Sequence, residues 1–202
     1  MPIVQGRQYR TMESLQTFPE KGDKLIDSNY YVEGYAMNFE RYKLYDDWDG
    51  EPVYEQFRKE DFNGCDMSDV IMQYDHSGRV LARQSNGSLK LLLDDKGLFI
   101  GADLSRTDAA KQLYSEIDAG MVTKMSWCFI PSEVEYDPKE RLITYKSIRK
   151  IYDVSAVSLP ANETTSISAR SLIEKEMEKV KTAVREAAKK KLRLKLMLEL
   201  PE

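Results

Sequence analysis

Between Asn29 and Pro160 the chain places aromatic and β-branched residues in short runs, and turn-forming groups separate them: "DDWDG" at 46–50, "NG" at 63, "SG" at 77, "NG" at 86 and "DDKG" at 94. Runs bounded in this way predict strands at 30–38, 69–75, 79–84, 88–93 and 97–104. The period changes in "RTDAAKQLYSEIDAG", residues 106–120, where a Thr precedes an Asp-led run and Ala110, Leu113, Tyr114 and Ile117 fall on one face. With Gly120 as a stop, this segment predicts a helix. Strand patterning resumes at 122–131, 133–137, 141–148 and 151–159, ending on Pro160. Residues 1–28 are polar, are interrupted by "FPEKGD", and predict an extended N-terminal arm. Many short strands around one helix predict an α+β fold, mainly an antiparallel β-barrel, closed or nearly so, with helical insertions.

The texture changes near residue 170, which divides the chain into a body, 1–169, and a tail, 170–202. Within "SLIEKEMEKVKTAVREAAKKK", Ile173, Met177, Val180, Val184 and Ala187 recur at alternating spacings of four and three, a heptad-like helical stripe with charged flanks. The following "LRLKLMLEL" alternates Leu from 192 to 200, which favours a strand, although its good helix formers leave continued helix open. Too narrow to fold alone, the tail reads as a docking or self-association element. A solvated helix closing the core is the plainer alternative.

Charge sharpens this division. The net charge is −4, but residues 170–202 hold ten Lys/Arg against six Glu, which leaves the body at −8. An acidic body argues against nucleic acid as the main partner, because binding to a phosphate backbone rests on a basic surface. No apolar run approaches the roughly 20 residues needed to cross a bilayer, and the N-terminus lacks the apolar core of a secretory signal. A soluble protein that stays in the compartment of its synthesis is expected. Cys65 and Cys128 lie far apart with no CxxC and no His at ligand spacing, so neither a metal site, a cofactor nor a disulfide framework is expected.

His76, in "QYDHSGRVL", is the one histidine of the chain, so any imidazole chemistry happens there. A serine hydrolase needs a hydroxyl beside a neutral imidazole and a third group that fixes the tautomer. Of sixteen serines, Ser126 in "GMVTKMSWCFIP" stands out, because a hydroxyl in so apolar a run needs a hydrogen-bond partner. Asp153 in "IYDVSAVSLPAN" is the matching carboxylate, since a charge in an apolar strand is costly unless paired. Asp75 is the poorer choice, because adjacent strand residues point to opposite faces. Each residue also has an ordinary reading: a turn histidine, a serine satisfied by backbone, an aspartate capping a strand. Patterning alone leaves both open.

Several segments in order resemble the prohead maturation serine proteases of tailed bacteriophages, a family related to the herpesvirus assembly proteases. They are an arginine-bearing "QYR" arm, "VEGYAMNF", "GRVLARQ" after the histidine, "DDKGLFIGADL", "IDAGMVTKMS" and "DVSAVSLPAN", spanning about residues 5 to 168. His76 precedes Ser126 by 50 residues and Asp153 follows it by 27. The resemblance implies a herpesvirus-protease-like barrel with His76 as base, Ser126 as nucleophile and Asp153 as third member. Family members often carry Glu at the position of Asp153, and a small residue, commonly glycine, at that of Cys128. Cys128 lies two residues along a strand from Ser126, which makes its thiol an alternative nucleophile. By analogy with an arginine-bearing loop in the herpesvirus relatives, Arg149 becomes a candidate oxyanion donor.

The implied activity is endopeptidase cleavage of scaffold or major-capsid-protein extensions, and of the enzyme itself, inside immature proheads in the host bacterial cytoplasm. A catalytically inactive capsid-assembly protein on the same fold is the alternative from another class. A generic β-barrel binding module would leave the order of the segments unexplained.

Overall fold

The computed structural model describes residues 7–13, 24–47, 49–158, 182–183 and 185–191. Its spine is a hairpin of two long strands, β9 (Lys124–Asp137) and β10 (Leu142–Val157), paired antiparallel along their length. Sequence patterning predicts four segments here. They fuse because the interruptions are absorbed as register shifts between Tyr145 and Asp153, with Pro131 opposite Ile148 in the irregular stretch. Alternation gives the hairpin two unlike faces. Met125, Trp127, Phe129, Val154 and Ala156 enter the hydrophobic core, whereas Ser126, Cys128, Asp153 and Ser155 are buried outside that cluster.

Eight further strands surround the spine: β1 (Gln8–Glu13), β2 (Tyr31–Asn38), β3 (Tyr42–Asp46), β4 (Pro52–Glu55), β5 (Ile71–Tyr74), β6 (Ser77–Arg83), β7 (Leu89–Leu93) and β8 (Gly97–Asp103). One seven-stranded sheet runs β1-β9-β10-β4-β3. The long β10 takes β4 along its start and β5 along its end, both in parallel, and β6 pairs with β5 at the edge. A second antiparallel sheet has the order β2-β8-β7. Strands make up 51% of the described residues, and the larger sheet curls into a half-barrel. This is compatible with the expected α+β fold and is mainly antiparallel; the barrel expected closed or nearly so takes the form of a half-barrel and a second sheet, with parallel pairings where short strands share one edge of β10.

The arm expected at the N-terminus contains β1, and the β3–β4 hairpin was not anticipated. These strands lack long apolar runs, since β1 reads "QYRTME" and β4 opens on Pro52. The "DDWDG" turn joins β3 to β4, with Asp47 Oδ1 accepting the Asp49 and Glu51 amides. The predicted helix is α1 (Asp108–Asp118). Thr107 accepts the Ala110 amide at its N-cap, and Ala110, Leu113 and Ile117 are buried. It closes in a Schellman motif: Gly120, at φ 70°, donates to Ile117 O, and Met121 donates to Glu116 O. A 3₁₀ turn spans Lys59–Phe62. Residues 182–183 and 185–191 are helical and exposed, Ala187 among them, while the 169/170 boundary, the rest of the stripe and the Leu192–Leu200 segment lie outside the described residues. No helix among the described residues is long and apolar enough to cross a membrane.

Four strands of the large sheet meet at one buried ion pair. Arg10 on β1 donates from Nε and Nη2 to the two carboxylate oxygens of Glu55 on β4, at 2.6 and 2.7 Å. The Tyr145 hydroxyl on β10 donates to the same carboxylate at 2.5 Å, and the Tyr42 hydroxyl on β3 donates to it as well. Burial alone would disfavour the Arg10 charge, but the Glu55 carboxylate outweighs it and holds the guanidinium firmly protonated. Removing one partner leaves the other charge buried and alone, so Arg10→Ala is expected to cost about 3–5 kcal/mol in chemical denaturation. The double replacement Arg10→Met with Glu55→Leu should recover part of that loss but not all, because the Tyr42 and Tyr145 hydroxyls still lose their acceptor.

Candidate active site

His76 is positioned by a tight turn. Tyr74 pairs with Ser77 across β5 and β6, leaving Asp75 and His76 as a two-residue loop with φ of 48° and 54°. Such primed turns need left-handed backbone at both central positions, and Asp and His are among the non-glycine residues that best tolerate it. The turn sits two residues earlier than the "SG" pair suggests. Asp75 pins it to the end of β10, since its amide donates to Ala156 O at 2.9 Å and its carboxylate accepts the Ser158 amide and hydroxyl, each at 2.9 Å. Asp75 is therefore occupied away from the imidazole.

Ser126 occupies a central strand, opposite Thr11 of β1 on one side and Ser155 of β10 on the other. Asp153 lies opposite Cys128 just after a register shift in β10, and in parallel register with Ile71 of β5. The three elements bring the three side chains into one line. His76 Nδ1 is 2.5 Å from Asp153 Oδ1, and Nε2 is 2.6 Å from Ser126 Oγ. An ionised carboxylate only accepts, so with Asp153 charged Nδ1–H donates to it, and in the neutral ring Nε2 is left to accept the Ser126 hydroxyl proton. Asp153 Oδ1 also accepts from Ser155 Oγ at 2.6 Å, which helps fix the carboxylate within an apolar stretch. On the other side the Tyr9 ring meets the imidazole edge-on, centroids 4.6 Å apart. Arg7 in turn stacks over Tyr152, 4.1 Å from its ring centroid. Ser126 has no exposed surface, while the His76 side chain keeps 15% of its own, so the line of side chains opens to solvent at the imidazole.

Tyr9 and Ser155 are the supporting residues that sequence reasoning missed, while Asp75, weighed there only as a third member, holds the turn instead. The signal for Ser155 was its position two residues after Asp153, on the same face of a strand. Arg149 is not brought to the site. Ser126 pairs with Ser155, six residues further along β10, so Arg149 lies roughly 20 Å away at strand spacing. It is exposed, and its carbonyl accepts the Asp66 amide.

The Cys128 thiol lies between the Tyr9 hydroxyl and the Asp153 carboxylate rather than at His76 Nε2. Burial, and then the Asp153 charge, push it up to about 12. No group of three or more His, Cys, Asp or Glu side chains among the described residues could hold a metal ion.

An oxygen nucleophile, a ring nitrogen able to take its proton and a carboxylate able to steady the charged ring form a unit suited to acyl transfer. Residues 18–183 match the family model of the caudovirus prohead serine proteases, and the chain belongs to that family. It is thus a serine peptidase of phage capsid maturation, acting on capsid-related substrates within proheads in the host cell. No curated protein and no solved structure matches the chain.

A thiol raised this far holds about one part in ten thousand as thiolate at pH 8. Cys65 is also raised, to about 11, by burial first and then by Asp66. Iodoacetamide at pH 8 is therefore expected to leave both cysteines of the native protein unmodified over an hour and to alkylate both after unfolding, as read by mass spectrometry. Rapid alkylation of native Cys128 would contradict this environment.

Proposed function

We propose that the protein is an endopeptidase that removes scaffold or major-capsid-protein extensions, and shortens itself, through a Ser126–His76–Asp153 mechanism. The observation that carries this reading is the unbroken line from Ser126 Oγ through the imidazole to Asp153, with both links at hydrogen-bond length. Ser126 attacks the scissile carbonyl while His76 Nε2 takes its proton. The resulting imidazolium is stabilised by Asp153, and the proton passes to the leaving amine as the tetrahedral adduct collapses to an acyl-enzyme. Water then enters by the same route in reverse, with His76 as base, and releases the acid. Ser155 and Tyr9 position the carboxylate and the ring without touching substrate. The reading includes a body ending near residue 169, kinship of that body with the herpesvirus assembly proteases, and a separate basic tail.

Retention of all three side chains in contact favours this enzyme over a catalytically silent assembly protein, which has no need of them. Ser126→Ala and His76→Ala are each expected to lower peptide cleavage about 10⁴- to 10⁶-fold, with the double variant little worse, because the members act as one unit. Self-shortening on a gel over time should vanish in both. A fully active Ser126→Ala protein would sink the assignment.

Asp153→Asn should leave the fold intact and reduce cleavage at neutral pH by about 10⁴-fold, because an amide fails to steady the imidazolium and presents the wrong tautomer partner. Cys128→Ala, in contrast, is expected to keep activity within about tenfold of the parent, since the thiol packs beside the carboxylate without meeting the base. The same cleavage assay separates the two outcomes.

A further inference from the structure

We propose that the groove between the start of β6 and α1 selects the substrate, and that it takes an extended peptide carrying a large apolar side chain beside a carboxylate. This inference rests on the catalytic reading above and adds the chemical class that the enzyme recognises.

The groove arises from a local irregularity. Met72 pairs with Ala82, but Tyr74 already pairs with Ser77, so Gly78, Arg79 and Val80 are three extra residues that swell out of β6. Gly78 makes this possible, at φ 72° with nothing within 4 Å of where a Cβ would stand. Ser77 to Val80 are all exposed, on a strand that among the described residues pairs with β5 alone and leaves its other edge open. Across from the bulge stand α1 and the loop that leaves it, and between them lies a cavity of about 650 Å³. Leu81, Leu113 and Val122, all buried, contribute to its lining, and Tyr74, Arg79 and Met121 are among its other walls. That volume suits several linked groups rather than one side chain.

Three observations specify the occupant. First, the large apolar side chains left exposed among the described residues gather here. Of Tyr74, Val80, Leu92 and Met121, two line the groove and Val80 lies on the bulge that walls it, with Met121 75% exposed. Single exposed hydrophobics are ordinary, but a cluster beside a cleft marks a binding surface. Second, the charges are unequally engaged. Glu116, on α1, keeps its negative charge while accepting from the neutral Gln112 amide at 3.2 Å, whereas Arg79, on the β6 edge along which a peptide would lie, makes no ion pair or hydrogen bond among the described residues, so an acid on the ligand beside that edge meets an unengaged cation. Third, the groove is continuous with the catalytic hairpin. Tyr74 and Ser77 bracket the Asp75–His76 turn, Val122 lies four residues before Ser126, and Ser158 at its rim is held by Asp75. An extended peptide seated along the β6 edge therefore passes His76.

The test uses full-length Ser126→Ala protein, which on the catalytic reading binds without cutting; peptide cleavage by this variant, read by mass spectrometry, would overturn that reading and not the groove. Cleavage by the parent protein tests that reading separately. Peptides retained from a randomised library are expected to be enriched in Leu, Phe or Met next to Asp or Glu. Adding Val80→Asp or Met121→Asp should raise the Kd of a selected peptide about tenfold or more, and Arg79→Glu should exchange the preference for acids for one for Lys or Arg. All three positions are exposed, so the fold is expected to survive, and circular dichroism checks it. A photoreactive side chain at position 121 should crosslink to the bound peptide. Absence of sequence preference, or an unchanged preference in all three variants, overturns the proposal. So does crosslinking to a second copy or to residues beyond Ser158, which would name a different occupant.

Discussion

The bidentate contact between Arg10 and Glu55 sets the shape of the large sheet. In the order β1-β9-β10-β4, the two residues sit on strands three spacings apart, about 14 Å in a flat sheet. Side chains that stand perpendicular to a flat sheet would not meet across that span, so the contact at 2.6 and 2.7 Å goes with a sheet that curls toward it, as the half-barrel does. Two tyrosines supply further donors, so the charges are enclosed with their lone pairs occupied. The same contact fixes β1 against β9, and β1 carries Tyr9, which flanks the imidazole. One buried pair thereby shapes the core side of the sheet and steadies the residues on its opposite side.

That division of faces explains where the site lies. Core-facing residues of β9 stack Trp127 on Phe129, ring centroids 4.0 Å apart, and Phe57 packs edge-on to both. Such packing leaves these strands little freedom to shift register, because one step would carry the whole apolar set to the other face. Ser126 and Asp153 inherit that rigidity from their neighbours. His76 comes instead from a hairpin tip, held by Asp75 to the end of β10. Two members are fixed by the sheet, and the third is fixed by a turn tied to it.

Legibility in the sequence followed the same physics. Strands with strong apolar runs, such as β2 and β8, and a helix with a Thr cap and a Gly stop were readable from pattern, because burial and capping dictate residue type. The strands whose polar residues are satisfied only by distant partners were not: Arg10 in β1 finds Glu55 45 positions away. In the site, Ser126 and Asp153 stood out as polar groups in apolar runs that had to meet something, and His76 by its singularity. The turn that aims the ring was misplaced, since left-handed Asp–His is a weaker signal than the adjacent Ser–Gly. Arg149 was assigned by analogy with a loop. A continuous strand carries it elsewhere, because bulges extended β10 where a break was expected.

The parts of the site are also widely separated in time as the chain is made. Tyr9 emerges early, His76 midway, Ser126 later, and Asp153 only four residues before β10 ends at Val157. Domains form as units once their closing contacts exist, and here those contacts join both ends of the body. A partly synthesised body holds the serine and the imidazole without the strand that aligns them. On the proposed mechanism, catalysis therefore waits until β10 has left the ribosome.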